Sequence, residues 1–593
     1  MILHRLLQAL VREQLIPPQH VKLRPPLLYI QLSGNRSLQA SVQRILSFGR
    51  FDMDDIHMID SGDRRVIKSS EELLDLVREE GWIQHTKQYE RFRDELRNSE
   101  ENHILALAAA GDRRQSLEQA SIQWVEDRLE REDSFSSLIF YEQCVIEGHP
   151  LHPGAKIKMG MSKDDVIRYS PEFAAQPAVK LAAVRKECAV SVCTDEKSVT
   201  DFLYDEYEGL AERVRNEIGE EAGAYEIIPL HPWQWEHTIP VLHKSALGRK
   251  DLILLRDSAI PTAALMSFRS LAPLGRRTDN KHHIKTAINV QTTGAIRTVS
   301  PNSVENGPML SRLLRSIQQK EQYFQNQFRI LEEQAGIYYN PSDKGLSQDQ
   351  QVLLRKNAAA ILRENPEQFI EPGEVMMPCA ALIAQSPFQN KPIVAEVIEC
   401  FASKGQIKEN VIAFLAAYAE ICIPPMLTLM SKYGISMEGH LQNSIIVLDK
   451  GEPSRLFIRD FGGIRILEER LKKQGMNISL YEGSAIRAKN GEDLWNKTFY
   501  PVFQNHFGEL IACLVRYFDV SEDQLWRQVA AVCRRVFSLL KKDEVIQAYA
   551  KEDEAALFAP YMDLKAMTSM RLKGDVTDYT FAKVRNPLAE AEL

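Results

Sequence analysis

Cysteine is scarce and scattered: eight thiols in 593 residues, with no CxxC pair. The closest two, Cys188 and Cys193, have no histidine at zinc-ligand spacing, so neither a disulfide framework nor a zinc ribbon is expected; reduced thiols in a cytoplasmic protein are. Basic charge is in deficit, with 73 Lys and Arg against 81 Asp and Glu and a net charge of -8. That balance excludes broad binding to nucleic acid or to an anionic membrane and leaves any anion to a few placed side chains. An uninterrupted apolar run is missing too. The most apolar window, Val411 to Met430, contains Glu420 and Pro424-Pro425 and reads as a buried helix with a kink or break rather than a membrane span. Met1 to Leu7 opens an amphipathic helix without the apolar core and cleavage site of an export signal. Internal repeats, low-complexity linkers and an early Gly-rich loop followed by a strand lysine are all lacking, and the last of these weakens a protein-kinase reading.

What is present is an ordinary globular composition, 44% hydrophobic and 26% charged, in a chain long enough for three or four lobes at roughly 150 residues each. The expected class is α+β, divided at 1–138, 139–393 and 394–593. In the first part Leu27 to Leu32 predicts a strand, Ser69-Ser70-Glu71-Glu72 caps a helix with Leu73, Leu74, Leu76 and Val77 on its apolar side, and Thr86 to Leu129 predicts a long charged helix or helix pair. No chemistry is visible there. From Arg312 to about Glu367 helices and loops are expected, then a short strand within Glu374 to Gln385, and mainly helices beyond Gly463.

The character changes at Glu147-Gly148-His149-Pro150-Leu151-His152-Pro153-Gly154-Ala155-Lys156. Two His-Pro pairs make a stiff loop presenting imidazoles and a lysine, a suitable pocket wall but a weak metal site without a third ligand. A third pair, His231-Pro232, precedes Trp233 and Trp235, read as packing groups. Pro261 to Arg269, if extended, puts Ser267 and Arg269 on one face. His283 to Val290 as a strand sends Ile284, Ile288 and Val290 to a core and Lys285, Ala287 and Asn289 the other way. After the turn-capable Thr292-Thr293-Gly294 a short strand carries Arg297, and Pro301 and Gly307-Pro308 end the unit. Three cations, Arg269, Lys285 and Arg297, with hydroxyls from Ser267 and Thr293, suit a polyphosphate or polycarboxylate.

The stretch with the most informative spacing is Glu438-Gly439-His440-Leu441-Gln442-Asn443. Ser444 to Leu448, a turn over Asp449 to Pro453, and Leu456 to Ile458 predict a hairpin that brings Asn443 and Asp460 onto neighbouring strand ends. A carboxylate and an amide oxygen there, with Glu438 upstream, are hard ligands of the kind Mg²⁺ takes on nucleotide phosphates, in the manner of kinase-like sites.

In chain order, GHPLHPGAK from Gly148, HPWQW from His231, SFR from Ser267, HIKTAINV from His283, TTGAIRT from Thr292, EGHLQN from Glu438 and RDFGG from Arg459 resemble the NRPS-independent siderophore synthetases, the aerobactin-synthetase-like family. The likeness runs from about Glu147 to the C-terminus. It implies a cupped hand of thumb (1–138), fingers (139–393) and palm (394–593) lobes around one ATP site, and a homodimer. It also implies a reaction in which citrate or a related polycarboxylate is joined to an amine or hydroxyl through an acyl-adenylate. By the same likeness Ser267, Arg269, Lys285, Gln442, Asn443 and Asp460, with His149, His152 and Lys156 on the nucleotide side, would bind ATP. Thr293, Arg297 and His440 would orient the carboxylate, with Lys285 completing the catalytic group, and Glu438, Asn443 and Asp460 would hold Mg²⁺. Two other readings stay open: a kinase-like phosphotransferase releasing ADP, and a non-catalytic carboxylate or ferric-siderophore binder.

Overall fold

A computed structural model describes residues 1–114, 117–343, 345–401, 405–575 and 579–591. Helices and mostly antiparallel sheets are mixed throughout; of the described strand pairs only Phe328–Ile330 with Glu452–Ile458 runs parallel. That pattern fits α+β and not a doubly wound sheet, whose parallel strands need crossover helices.

The N-terminal part builds its own core. Helix Ile2–Arg12 buries Ile2, Leu6, Leu7 and Leu10 against a six-stranded sheet that includes Leu27–Gln31 and Arg36–Leu46. Ser69 caps helix Ser70–Glu79 by accepting the Glu72 N–H, and Leu73, Leu74, Leu76 and Val77 are buried as their spacing predicts. The charged run after Thr86 is a helix pair, Lys87–Arg113 and Ser121–Arg131.

The middle of the chain forms an eight-stranded sheet. Its order is Ala189–Cys193, Glu333–Tyr339, Ala359–Arg363, His283–Thr286, Ser270–Pro273, Leu252–Ala264, Ala178–Arg185 and Tyr225–Leu230. Several sequence expectations fail here. Pro261 to Arg269 is not extended throughout: the strand stops at Ala264, and the Ser270 N–H closes a turn on the Ser267 carbonyl at 2.6 Å, so period-two logic does not relate Ser267 to Arg269. His283 to Val290 leaves the sheet after Thr286, and Ala287 is as buried as Ile288. Gly307-Pro308 ends nothing; it lies inside helix Pro301–Lys320, whose first turn begins at a proline that needs no N–H partner. Arg312 to Glu367 contains the strands Phe328–Ile330, Glu333–Tyr339 and Ala359–Arg363. A Cβ on Gly336 would lie 2.9 Å from Val304, so the missing side chain lets helix Pro301–Lys320 close onto this sheet.

A third core is built mainly from C-terminal helices and also takes in Phe48, Ile122 and Leu314 from earlier in the chain. Helix Ile407–Tyr433 runs through Pro424-Pro425, and is long and apolar enough to cross a membrane by length and composition alone. In the fold its Leu415, Tyr418, Ile423 and Leu427 are fully buried beside Trp526, Val529 and Phe537 of helix Glu522–Leu540, each such aliphatic contributing about 1.5–3 kcal/mol. Beside it a four-stranded sheet, Phe328–Ile330, Glu452–Ile458, Ser444–Asp449 and Glu374–Pro378, carries the predicted hairpin. The C-terminal part is not wholly helical: Tyr561–Lys565 and Phe581–Arg585 pair as a second hairpin.

Candidate active site

The hairpin register sets Ser444 opposite Ile458, and the Arg459 N–H donates to the Asn443 carbonyl at 3.1 Å, so Asn443 and Asp460 do leave neighbouring strand ends. Asp460 has φ +73°, a left-handed conformation uncommon outside glycine, and its Oδ1 accepts the Gly462 N–H at 3.0 Å. The bend aims its carboxylate back at the eight-stranded sheet. There Glu333 pairs with Arg363 and Ile361 with Lys285, so Lys285, Arg363 and Glu333 share one face of adjacent strands. Lys285 Nζ lies 2.9 Å from Asp460 and 3.3 Å from Glu333; Arg363 lies 2.9 Å from Glu333 and 3.6 Å from Asp460. Burial alone would raise the Asp460 pKa, yet Lys285, Arg363 and Arg269 hold it well below the usual carboxylate range.

Arg269 and Arg297 differ from that balanced quartet. Arg269 donates only to the Thr298 carbonyl, and Arg297 donates from Nε to Thr292 Oγ1 at 2.6 Å and from Nη2 to Thr293 Oγ1 at 2.5 Å. Among the described residues neither forms an ion pair. Burial, then the charge of Arg269, pushes Arg297 down to about 10, while Asp460 and Glu438 act the other way. Arg297 follows the short strand Ala295–Ile296 instead of sitting in it, and Thr293, at φ +52°, occupies the turn.

A third group closes the ring. Glu438 Oε1 is 2.8 Å from Lys497, whose Nζ also donates to Tyr579 at 2.8 Å, and Lys565 lies 4.1 Å from the centre of the Tyr579 ring. Despite burial, Lys497 and then His440 bring Glu438 down to about 2. Gly463 is required beside it, because a Cβ there would fall 1.8 Å from Glu438 Oε2. Asn443 donates to the Glu438 carbonyl at 3.3 Å. His440 is kept neutral by burial, against the pull of Glu438 and Asp460.

The histidines share one device. Nδ1 of His149, His152 and His231 accepts the N–H two residues on, at 3.2, 2.8 and 3.2 Å, and Nδ1 of His440 accepts that of Asn443 at 3.3 Å. A neutral ring whose Nδ1 accepts carries its proton on Nε2, which gives His152 and His440 an N–H donor of fixed direction; His149 Nε2 instead faces the side-chain amide nitrogen of Asn505 at 3.4 Å, and His231 Nε2 is buried without a partner among the described residues. Burial and the nearby Arg571, Lys565 and Arg297 push His152 down to about 3.

Two expected positions are placed differently. Lys156 is held by Glu172 at 2.7 Å, a carboxylate it shares with Lys158, so its amine is fixed in place and the trio keeps one positive charge over. Gln442 uses its backbone carbonyl to hold Arg459, which also pairs with buried Glu142. The N-terminal part, in which no chemistry was visible, contributes directly. Ser99 and Asn102 of helix Lys87–Arg113 bond the backbone of Pro153 and Lys156, and Glu95 pairs with Arg571, which donates to the Gly294 carbonyl at 3.1 Å beside Thr293. Glu333, Arg363, Lys497, Lys565 and Tyr579 went unnoticed as site groups in the sequence, Glu333 and Arg363 because helices and loops were expected where their strands lie.

The chain is also clearly related to known proteins. A D-ornithine–citrate ligase of Staphylococcus aureus is 31% identical over 475 residues, covering 77% of this chain and 71% of that protein. The IucA/IucC family profile matches residues 137–384. The chain belongs to the IucA/IucC family of siderophore synthetases. It is accordingly an ATP-dependent ligase of siderophore biosynthesis. Staphyloferrin A synthase of the same organism is 27% identical over 602 residues, covering 99% of this chain and 97% of its own length. A second profile, described as a ferric iron reductase FhuF-like transporter, matches 412–580. Among solved structures, the petrobactin biosynthesis protein AsbB of Bacillus anthracis superposes with TM-score 0.82 at 22% identity, covering all of this chain and 95% of that one. ATP-bound aerobactin synthetase IucA of Klebsiella pneumoniae superposes with TM-score 0.79 at 19% identity over 99% of both chains. At these identities the structures speak for the fold.

Proposed function

We propose that this chain condenses citrate, or a citrate-like polycarboxylate, with an amine through an acyl-adenylate, releasing AMP and pyrophosphate. The observation that carries the reading is the pair Arg269 and Arg297, two cations with no carboxylate partner beside a hub that already balances its other charges. Among the described residues around the hub, Lys285, Arg363, Arg269, Arg297, Lys497 and Lys565 stand against Glu333, Asp460 and Glu438, the nearby Glu142 being paired with Arg459, a positive excess within a chain of net charge -8. A nucleotide triphosphate beside a small polyacid supplies the missing negative charge. The relatives' names point the same way: one is a D-ornithine–citrate ligase and another an L-2,3-diaminopropanoate–citrate ligase.

A carboxylate is a poor electrophile, and its attack on the α-phosphate brings like charges together. In this reading Arg269 and Lys285 take the phosphates, with Glu333 holding Lys285 in place as an acidic residue does for the phosphate-binding lysine of kinases. Ser267, His149 and His152 line the nucleotide side, Ser267 and His152 through their O–H and N–H donors. Arg297 and His440 Nε2–H orient the acid, with Thr293, whose hydroxyl donates to the Thr292 carbonyl at 2.6 Å, holding the Arg297 guanidinium; because these donors are fixed before reaction they stabilise charge as it develops. Lys156 stands on the nucleotide side, held in place by Glu172.

Mg²⁺ is implied by this chemistry. Among the described residues no group of three or more His, Cys, Asp or Glu could hold a metal. That suits an ion which takes one or two carboxylates and otherwise substrate phosphates. Asp460, with Asn443 on the neighbouring strand end, offers the hard oxygens; Glu438 is held by Lys497 and would join only by giving up that partner. Bound there, the ion would neutralise the phosphates and the departing pyrophosphate.

The same reading makes the three cores lobes of one hand around a single ATP site, in a cytoplasmic homodimer; sedimentation would test the last point. The decisive experiment supplies ATP, Mg²⁺ and citrate with a panel of diamines and amino acids and identifies the nucleotide product. AMP with pyrophosphate is expected. ADP would establish the phosphotransferase instead, and citrate binding indifferent to ATP with no turnover would establish the binder.

A further inference from the structure

Residues 491–518 are helical throughout, but the middle, Phe499–Phe507, is a π-helix set between the α-helices Gly491–Thr498 and Gly508–Phe518. Such wide winding is rare and occurs mostly at functional sites. Here it decides what reaches the Glu438–Asn443 loop. Lys497 pairs with Glu438, and His506 Nδ1–H donates to the carbonyl of the next loop residue, Gly439, at 3.0 Å. The two side chains are nine residues apart. At about 3.6 residues per turn they would fall on opposite faces of an α-helix. The i→i+5 winding, at roughly 4.4 residues per turn, makes the same interval close to two whole turns and brings both to the loop. Between them Asn505 Oδ1 accepts the Leu441 N–H at 3.4 Å, and Gly439 seats directly on the π-helix, where a Cβ would lie 3.1 Å from Val502 Cγ2. The backbone on both sides of His440 is therefore fixed by this one helix.

His506 is itself held from behind. Tyr418, on helix Ile407–Tyr433, donates its O–H to His506 Nε2. A carbonyl can only accept, so the neutral ring carries its proton on Nδ1, and the tyrosine secures that tautomer by occupying the other nitrogen. Burial keeps the ring neutral, pushing it down to about 4. Both side chains are buried, so they act on a substrate only through the loop. We propose, resting on the adenylating reading of this site, that His506 with Tyr418 behind it is a positioning residue: by holding the Gly439 carbonyl it aims His440 Nε2–H at the acid. A donor misplaced by about 1 Å costs on the order of a hundredfold in rate, which is the scale of effect such a residue controls.

Citrate-dependent ATP–pyrophosphate exchange by the full chain is the test. His506→Leu should lower kcat about ten- to a hundredfold while the KM for ATP stays close to the parent's. His506→Asn, whose amide N–H stands where Nδ1–H stood, should recover most of that loss, which a residue needed only to fill space would not allow. Equal losses in the two variants overturn the proposal, as does a kcat in His506→Leu close to the parent's. Should His506→Leu fail to fold, Tyr418→Phe takes its place: it frees Nε2 and lets the tautomer reverse, so a kcat lower by a few-fold is expected, and an unchanged kcat overturns the proposal. A parent without citrate-dependent exchange refutes the adenylating reading and this assignment with it, whereas an active parent beside unaffected variants refutes the assignment alone.

Discussion

Replacing Arg297 by methionine separates what the site costs from what it does. Burial and Arg269 hold this guanidinium at about 10 instead of 12.5, which corresponds to roughly 3 kcal/mol of unfavourable surroundings at full burial and about 1–2 kcal/mol once solvent screening is allowed for. The substitution removes that cost and loses the bonds to Thr292 and Thr293, worth about 1 kcal/mol in total because both hydroxyls can be rehydrated. Stability should therefore hold or rise, by up to a few degrees in Tm. Adenylation should move in the opposite direction, because a donor aimed at developing charge is worth about 10²–10³ in rate. Differential scanning fluorimetry and citrate-dependent ATP–pyrophosphate exchange on the same preparation check both halves, and the Tm increase that citrate with ATP gives the parent should vanish. A fall in Tm as large as that of a broken buried ion pair, or exchange within a few-fold of the parent, would show that Arg297 is a structural cation and refute the reasoning.

Lys285→Met should behave as the opposite case: it strips one cation from a buried quartet and leaves Glu333 and Asp460 to share Arg363, so urea unfolding should show a loss of about 3–5 kcal/mol. Gly463→Ala drives a Cβ into Glu438 Oε2; exchange activity should fall while far-UV circular dichroism is unchanged, and full activity would mean that the Glu438 position is immaterial. Acid should weaken the fold earlier than its carboxylates suggest. Burial pushes His152, His231 and His283 down to about 3 and His506 to about 4. Below the unfolded value near 6.5 the unfolded chain gains protons that the native rings refuse, so each histidine costs up to about 2 kcal/mol by pH 5. The carboxylates work in a lower window: Glu438, at about 2, adds stability above its unfolded value that is lost only as pH falls through its folded one. A Tm flat from pH 7 to pH 5 would contradict the buried neutral rings.

The hairpin from Ser444 to Ile458 was legible because turn residues and alternating apolar runs are local, and with it came Asn443 and Asp460. So was the concentration of cations after Pro261, although of Arg269, Lys285 and Arg297 only Lys285 lies in a strand. What could not be read was their pairing. Glu333 is one carboxylate in a run whose apolar residues follow both helix and strand periods, and its role comes only from lying opposite Arg363 across a sheet whose strand order is not the chain order. Lys156 shows the converse: a loop lysine beside histidines looks available, and fourteen residues of sequence separate Lys158 from the Glu172 that claims both amines. The long charged helix Lys87–Arg113 looked solvent-facing because Glu95, Ser99 and Asn102 are polar. They are buried because they bond backbone and Arg571 at the junction with the other two parts.

What the sequence does not show, then, is which charges are neutralised across the fold and which are left over. The distinction has a physical basis. A buried ion whose partner is part of the chain is settled on folding, and its usefulness ends with stability and position. An ion settled only by something the chain does not contain raises the energy of the folded protein until that partner arrives, and the relief then appears as binding. Arg269 and Arg297 at the hub meet that description.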